Sequence, residues 1–333
     1  RSPNWALTPQ GEKTIEDARP PGWGVRIIRS LTSSDGDGPP EPSAEVMDAI
    51  VDAEVYFGFG IPKPLFERAR RLQWVHSAAA GVASALYPEM RDSKVLLSNS
   101  AGVHAVPIAE YVLAGILHFF RGLDVAAEQQ RSATWDKSFY VGEDSPVREV
   151  GGARILIVGA GGLGTAVATR LNALGATCVG IRRRPEQGGP EGFSRVVGPG
   201  APDRELPEAD VVVLTAPATS DSTGMLTAER LNLLRPGSIL VNVARGSLVD
   251  QQALVAALRD GRLRGAVLDV FQKEPLAGDS PLWQLRNALL TPHISPVSPG
   301  RFWPRALELF CANWRRYGRG EALRNLVAKQ AEY

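Results

Sequence analysis

Between residues 154 and 290 the chain repeats one pattern. A short, nearly all-apolar run is followed by a polar break and then by apolar positions at helical spacing. The runs fall at 155–158, 178–181, 211–214, 238–242, 265–268 and 287–290. A strand with one wet face alternates apolar and polar residues; an uninterrupted apolar run fits a strand buried on both faces of a parallel sheet. Helices are predicted at 165–174 and 250–259. The first hundred residues show a weaker version of the pattern. Strands are predicted at 25–28, 55–57, 73–76 and 95–97, and helices at 44–51 and 64–72, with Pro64 at a helix start. Residues 33–42, rich in Ser, Asp, Gly and Pro, read as a surface loop. A long apolar helix is expected at 107–121, a loop at 132–152, and an amphipathic helix at 304–317.

This order predicts an α/β fold of two parallel-sheet domains. One, at 103–296, is inserted into another made of 1–102 and 297–333.

The inserted stretch opens on Gly159-Ala160-Gly161-Gly162-Leu163-Gly164, directly after an apolar run and before a predicted helix. Such glycines permit a tight turn and let backbone amides approach a pyrophosphate at a helix N-terminus. The strand–turn–helix context lifts the motif above an ordinary glycine-rich turn. The next strand ends in Arg182-Arg183-Arg184. An acid at that place would bind a ribose 2′-hydroxyl and repel a 2′-phosphate, whereas guanidinium does the opposite. NADP(H) is therefore the expected cofactor, with NAD(H) possible.

Composition changes this picture little. A formal net charge of +1 over 333 residues exerts no pull toward nucleic acid or membrane. Two cysteines, Cys178 and Cys311, make no disulfide framework, and no Cys/His cluster suggests a metal. No signal peptide is read, and a cytoplasmic protein is expected.

Three residues near strand ends carry candidate chemistry: Arg245, Glu274 and His293. Reduction of a 2-oxo acid needs a cation to clamp the carboxylate and polarise the carbonyl, which an arginine does. It needs an acid to protonate the oxygen, and histidine suits neutral pH. A carboxylate beside that histidine favours its charged form and orients the ring. A hydrolase triad of Ser247, His293 and Asp269 lacks the nucleophile elbow that would support it.

The motifs together resemble the D-isomer-specific 2-hydroxyacid dehydrogenase family. The matches are 159–164, Asn242-Val243-Ala244-Arg245-Gly246, Leu268-Asp269-Val270-Phe271 with Glu274-Pro275, and Thr291-Pro292-His293-Ile294; upstream, Asn99-Ser100-Ala101-Gly102 and Ala109-Glu110 also fit. The resemblance implies a Rossmann cofactor domain within a flavodoxin-like substrate domain, and a homodimer through the region 107–135. It implies that Arg245, Glu274 and His293 are catalytic and that Asp269 touches the nicotinamide side. The turn Ala79-Ala80-Gly81-Val82 would offer amides to the substrate carboxylate. Thr215, Ala216, Pro217, Val243 and Ala244, beyond further strand ends, are assigned to the cofactor. The arginine triplet matches the NADP-preferring glyoxylate and hydroxypyruvate reductase branch. Ala79 stands where the family usually has glycine and Ala83 where it has aspartate, departures that bear on substrate identity. Trp303 with Phe57 or Phe59 could line an apolar wall. His76 and His104 carry weaker expectations, and His118 reads as a core residue. A dinucleotide-sensing binding protein or corepressor that keeps the fold is the alternative; the intact Arg/Glu/His set argues against it.

Overall fold

The computed structural model describes residues 7–29 and 42–331. The chain divides into two compact units, Arg1–His104 with Ser298–Tyr333, and Ala105–Val297.

The first unit is built on three parallel strands, β1 (Val55–Gly58), β2 (Trp74–Ser77) and β3 (Leu96–Asn99), in the order β1-β2-β3. Successive side chains of a strand point to opposite faces. Val75 accordingly packs with Ile61, Leu65, Met90 and Leu97, while its neighbour Trp74 packs with Ile15, Leu307, Phe310 and Trp314. Helices Ala44–Ala49, Lys63–Arg68 and Pro88–Asp92 cover the first face; Pro9–Asp17 and Phe302–Gly318 cover the second. Two expectations need correction. Residues 25–28 join no ladder among the described residues; Val25 instead packs against the Trp314 cluster. The helix expected at 64–72 stops at Arg68, where Ala69 turns extended and the Arg70 amide bonds to Val51 O. The loop expected at 33–42 lies almost wholly outside the described residues.

The second unit carries seven parallel strands: β4 (Arg154–Val158), β5 (Thr177–Ile181), β6 (Arg195–Val197), β7 (Val211–Leu214), β8 (Ile239–Asn242), β9 (Gly265–Leu268) and β10 (Ala288–Leu290). Their order is β10-β9-β8-β7-β4-β5-β6, so the winding reverses between β4 and β7. Both faces are buried, residue by residue. Leu156, Val158, Val212, Leu214, Leu240 and Leu268 belong to one core; Ile155, Ile157, Val211, Val213, Val241 and Val267 belong to the other. Helices Ala105–Phe120 and Gly162–Ala173 pack on the second face. The first comes so close at Gly115 that a Cβ there would lie 2.7 Å from a methyl of Val267. Within the expected 132–152 loop sits a short helix, Ser138–Val141, and Leu123–Arg131 is a helix that buries no residue. Among the described residues no single helix is long and apolar enough to cross a membrane.

Ladder register aligns Val158, Leu214, Asn242, Leu268 and Leu290 across the sheet. The residues that follow them therefore share one edge, beside the reversal point where open α/β sheets bind ligands.

His76 lies fully buried in the first unit, against Phe57, Trp74 and Phe310. Its Nδ1 sits 2.7 Å from Ser98 Oγ, and burial pushes the imidazole down from 6.5 to about 4. The folded protein thus holds it neutral, while the unfolded chain takes up a proton below about 6.5. Stability is expected to fall as pH drops from about 6.5 toward 4, by about 3 kcal/mol in all from this residue. Urea unfolding at pH 7 and pH 5 checks this: the loss should be clearly smaller in His76→Gln than in the wild type.

Candidate active site

The turn after β4 is shaped by close approach. Gly159 has φ +113°, and a Cβ on it would lie 2.6 Å from Ala216 N. A Cβ on Gly164 would lie 2.1 Å from Gly159 O. Thr215 Oγ braces the same turn, donating to Gly159 O at 2.8 Å. Gly161 and Gly162, by contrast, are exposed and meet nothing within 4 Å. The amides of Gly162, Leu163 and Gly164, in the first turn of a twelve-residue helix, donate to no group among the described residues. Open space above orphan amides at a helix N-terminus is what a pyrophosphate requires. A dinucleotide therefore fits this turn.

The three arginines beyond β5 are not equivalent. Arg182 is half-buried; its guanidinium donates to Gly188 O at 2.9 Å and to Gln187 Oε1 at 3.1 Å, bracing its own loop. Arg183 and Arg184 are exposed, with Asp221 3.8 Å from Arg183.

Across the switch point, the ends of β8, β9 and β10 carry the remaining groups. Asn242, buried at the end of β8, bridges the next turn by accepting from Ala244 N and donating to Arg245 O. Val243 and Ala244 are thereby buried, and exposed Arg245 donates to Ala244 O at 2.6 Å. Gly246 allows this turn to press on the next: a Cβ there would lie 1.9 Å from Phe271 C. Glu274 faces two ways. One oxygen accepts from Phe271 N at 2.9 Å; the other lies 2.9 Å from His293 Nδ1. A carboxylate only accepts, so Nδ1 carries a proton and Nε2 is the nitrogen left to exchange one. His293 has φ +54°, a left-handed conformation unfavourable to a side chain. Its amide donates to Asp269 O and Thr291 O, at 2.9 and 3.0 Å.

Asp269 is 0% exposed. Its carboxylate accepts from Thr291 Oγ at 2.6 Å and from the amides of Ile294 and Ser295, each at 2.8 Å. The carboxylate thus holds the 291–295 loop against the end of β9.

In the other unit, the turn Ala79-Ala80-Gly81 is held from one side. Ser77 Oγ accepts from Ala79 N, Ser100 N donates to Ala79 O, and Asn99 Nδ2 donates to Ala80 O at 2.8 Å. Asn325, itself at φ +52°, bonds to the carbonyls of Asn99 and Ala101. The amides of Ala80, Gly81 and Val82 donate to nothing among the described residues, which makes them donors for an anion. Trp303 packs edge-on against Phe57 and Phe59, and His104 stacks on Phe302 at 5.2 Å. His118 lies half-buried edge-on to Phe119.

Residues 113–295 match the model of the D-isomer specific 2-hydroxyacid dehydrogenase NAD binding domain. The chain belongs to this dehydrogenase family. It is 31% identical over 277 residues to glyoxylate/hydroxypyruvate reductase B of Yersinia pestis, covering 82% of this chain and 84% of that one. It is 35% identical over 237 residues to glyoxylate/hydroxypyruvate reductase A of Citrobacter koseri, covering 69% and 72%. In structure it resembles a D-isomer specific 2-hydroxyacid dehydrogenase from Xanthobacter autotrophicus Py2, solved with NADPH and MES, at a TM-score of 0.79 and 31% identity over 97% of this chain and 95% of that one.

This 2-hydroxyacid dehydrogenase relative is thus a nicotinamide-dependent oxidoreductase, and the Gly159–Gly164 turn has the form its dinucleotide needs. The structure pairs Glu274 with His293 and puts Arg245 on the same edge; Asn242, Asn99 and Thr291, read only as motif positions, and Asn325, not read at all, hold the turns. An asparagine at the end of an apolar strand, as at 242 and 99, was the available signal. The Gly159–Gly164 contact generates a prediction. Gly164→Ala forces backbone apart, so dinucleotide binding should weaken at least about tenfold and the unfolding temperature should fall. Fluorescence titration and a thermal melt measure both; two unchanged values would contradict the close approach.

Proposed function

We propose that the protein is an NADPH-dependent reductase of small 2-oxo acids, with glyoxylate and hydroxypyruvate the first candidates. The observation that carries this reading is Glu274 Oε2 at 2.9 Å from His293 Nδ1, on the sheet edge that also carries Arg245. The names of the two reductase relatives support the substrate class. A bound nicotinamide supplies the hydride. The chain's own groups do the rest. Arg245 clamps the carboxylate and polarises the carbonyl, His293 gives the Nε2 proton to the oxygen, and Glu274 orients the ring through Nδ1. In the first unit, the unspent amides of Ala80, Gly81 and Val82 suit an anion, and Ala79 braces their turn through Ser77. The product is the D-hydroxy acid where a stereocentre forms.

Cofactor residues in this proposal are Gly159, Gly161, Gly162, Leu163 and Gly164 for the pyrophosphate, with Thr215, Ala216, Pro217, Val243 and Ala244 along the sheet edge. Arg183 and Arg184 take the 2′-phosphate, and Arg182 shapes their loop. The NADPH complex of the Xanthobacter relative supports NADPH as the cofactor. A homodimer is proposed through the region 107–135, where Leu123 is 51% exposed and Trp135 90% exposed. Two buried, free thiols, Cys178 and Cys311, suit a cytoplasmic setting.

Charge-assisted hydrogen bonds of about 1.5–3 kcal/mol each set the scale for the phosphate. Arg183→Ser with Arg184→Ser should cut kcat/KM for NADPH by at least about tenfold and leave NADH nearly unchanged; a wild type that uses both equally would end the NADPH reading. His293→Ala should cost about 10²–10⁴ in reductive turnover with cofactor binding kept, and Glu274→Gln less. Steady-state rates at saturating NADPH decide this, and a near-wild-type His293→Ala would reassign the proton donor.

A further inference from the structure

Tyr111, on the core helix Ala105–Phe120, places its hydroxyl 2.6 Å from Thr291 Oγ. The polarity of this contact follows from its far end. Asp269 can only accept, so Thr291 Oγ, 2.6 Å from it, donates. Thr291 is left with lone pairs, and Tyr111 must donate to them. Burial reinforces this by pushing the phenol up to about 12. A one-way chain, Tyr111 to Thr291 to Asp269, thus runs from the helix into the loop of His293. Asp269 also accepts from the amides of Ile294 and Ser295, the two residues after that histidine. The backbone is pinned on both sides of His293, and His293 itself sits at φ +54°. An unfavourable conformation persists only where its surroundings over-determine it.

We propose that Tyr111 is a positioning residue for the reaction. Through Thr291 and Asp269, its hydroxyl holds the left-handed backbone that aims the His293 ring at the reacting oxygen. This rests on His293 being the proton donor proposed above. The reacting atoms touch His293; Tyr111 acts on them only through it. The ring of Tyr111 packs against the second core, so replacing it by phenylalanine removes the donor and keeps the packing.

The test uses Tyr111→Phe, Thr291→Val and Thr291→Ser, the last keeping a hydroxyl. Losing one such hydrogen bond should lower kcat about 3–10-fold, with KM for the 2-oxo acid and the NADPH dissociation constant within about twofold. Thr291→Val should cost at least as much, and the double variant no more than Thr291→Val alone. Thr291→Ser should stay near the wild type. A second readout needs no turnover. The chain has four histidines, so ring signals of labelled protein can be assigned with His293→Ala. The His293 signals should move in Tyr111→Phe and Thr291→Val and stay in Thr291→Ser. Unmoved His293 signals in Tyr111→Phe would overturn the proposal, as would a rise in KM with kcat kept. If the signals move as expected but the wild type reduces no 2-oxo acid, the positioning stands and the functional reading falls.

Discussion

One buried carboxylate organises the reactive edge of the sheet. Taking Asp269 out of water is costly unless its oxygens are bonded. They are bonded to one hydroxyl and two amides, all from residues 291–295. Those bonds tie the end of β9 to the loop beyond β10, and His293 rides on that loop. Glu274 repeats the device one turn away, spending one oxygen on Phe271 N and the other on the imidazole. Acids here hold backbone and, at Glu274, the imidazole ring. The two asparagines serve the same end in neutral form, Asn242 beneath Arg245 and Asn99 beneath Ala80.

The division between the two kinds of edge follows from the register. With Val158, Leu214, Asn242, Leu268 and Leu290 in one row, the next residues form a line that begins at the dinucleotide turn and ends at the histidine. At one end of that line glycines remove side chains so that amides are reachable. At the other, carboxylates gather loops so that a strained histidine keeps one orientation.

Much of the larger sheet was legible because strands buried on both faces need continuous apolar runs, and β7 and β9 fall where those runs are. Edge strand β6 was not, since Arg195-Val196-Val197 is short and half-exposed. The helix Leu123–Arg131 buries no residue and so leaves no apolar stripe to read. Val25-Arg26-Ile27-Ile28 shows the converse, an apolar segment whose Val25 packs on helices and which joins no ladder among the described residues. In the site, residue types at strand ends singled out Arg245, Glu274 and His293 as candidates, and the fold pairs Glu274 with His293. Spacing could not rank Arg182 against Arg183 and Arg184, because only the fold shows that Arg182 is spent on Gly188 and Gln187. Nor could it link Tyr111 with Thr291, which lie far apart in sequence and meet only when the helix packs beneath the sheet edge.

In the proposed reaction the nicotinamide delivers a hydride to C2 of a 2-oxo acid while His293 supplies the proton. The most direct measurement follows the hydride itself. Purified protein is incubated with hydroxypyruvate and NADPH deuterated at both C4 positions, and the hydroxy acid is analysed by mass spectrometry and chiral separation. The account predicts one deuterium on C2 of the D product. Binding of the dinucleotide without deuterium transfer to any 2-oxo acid, or deuterium in the L product, would contradict it.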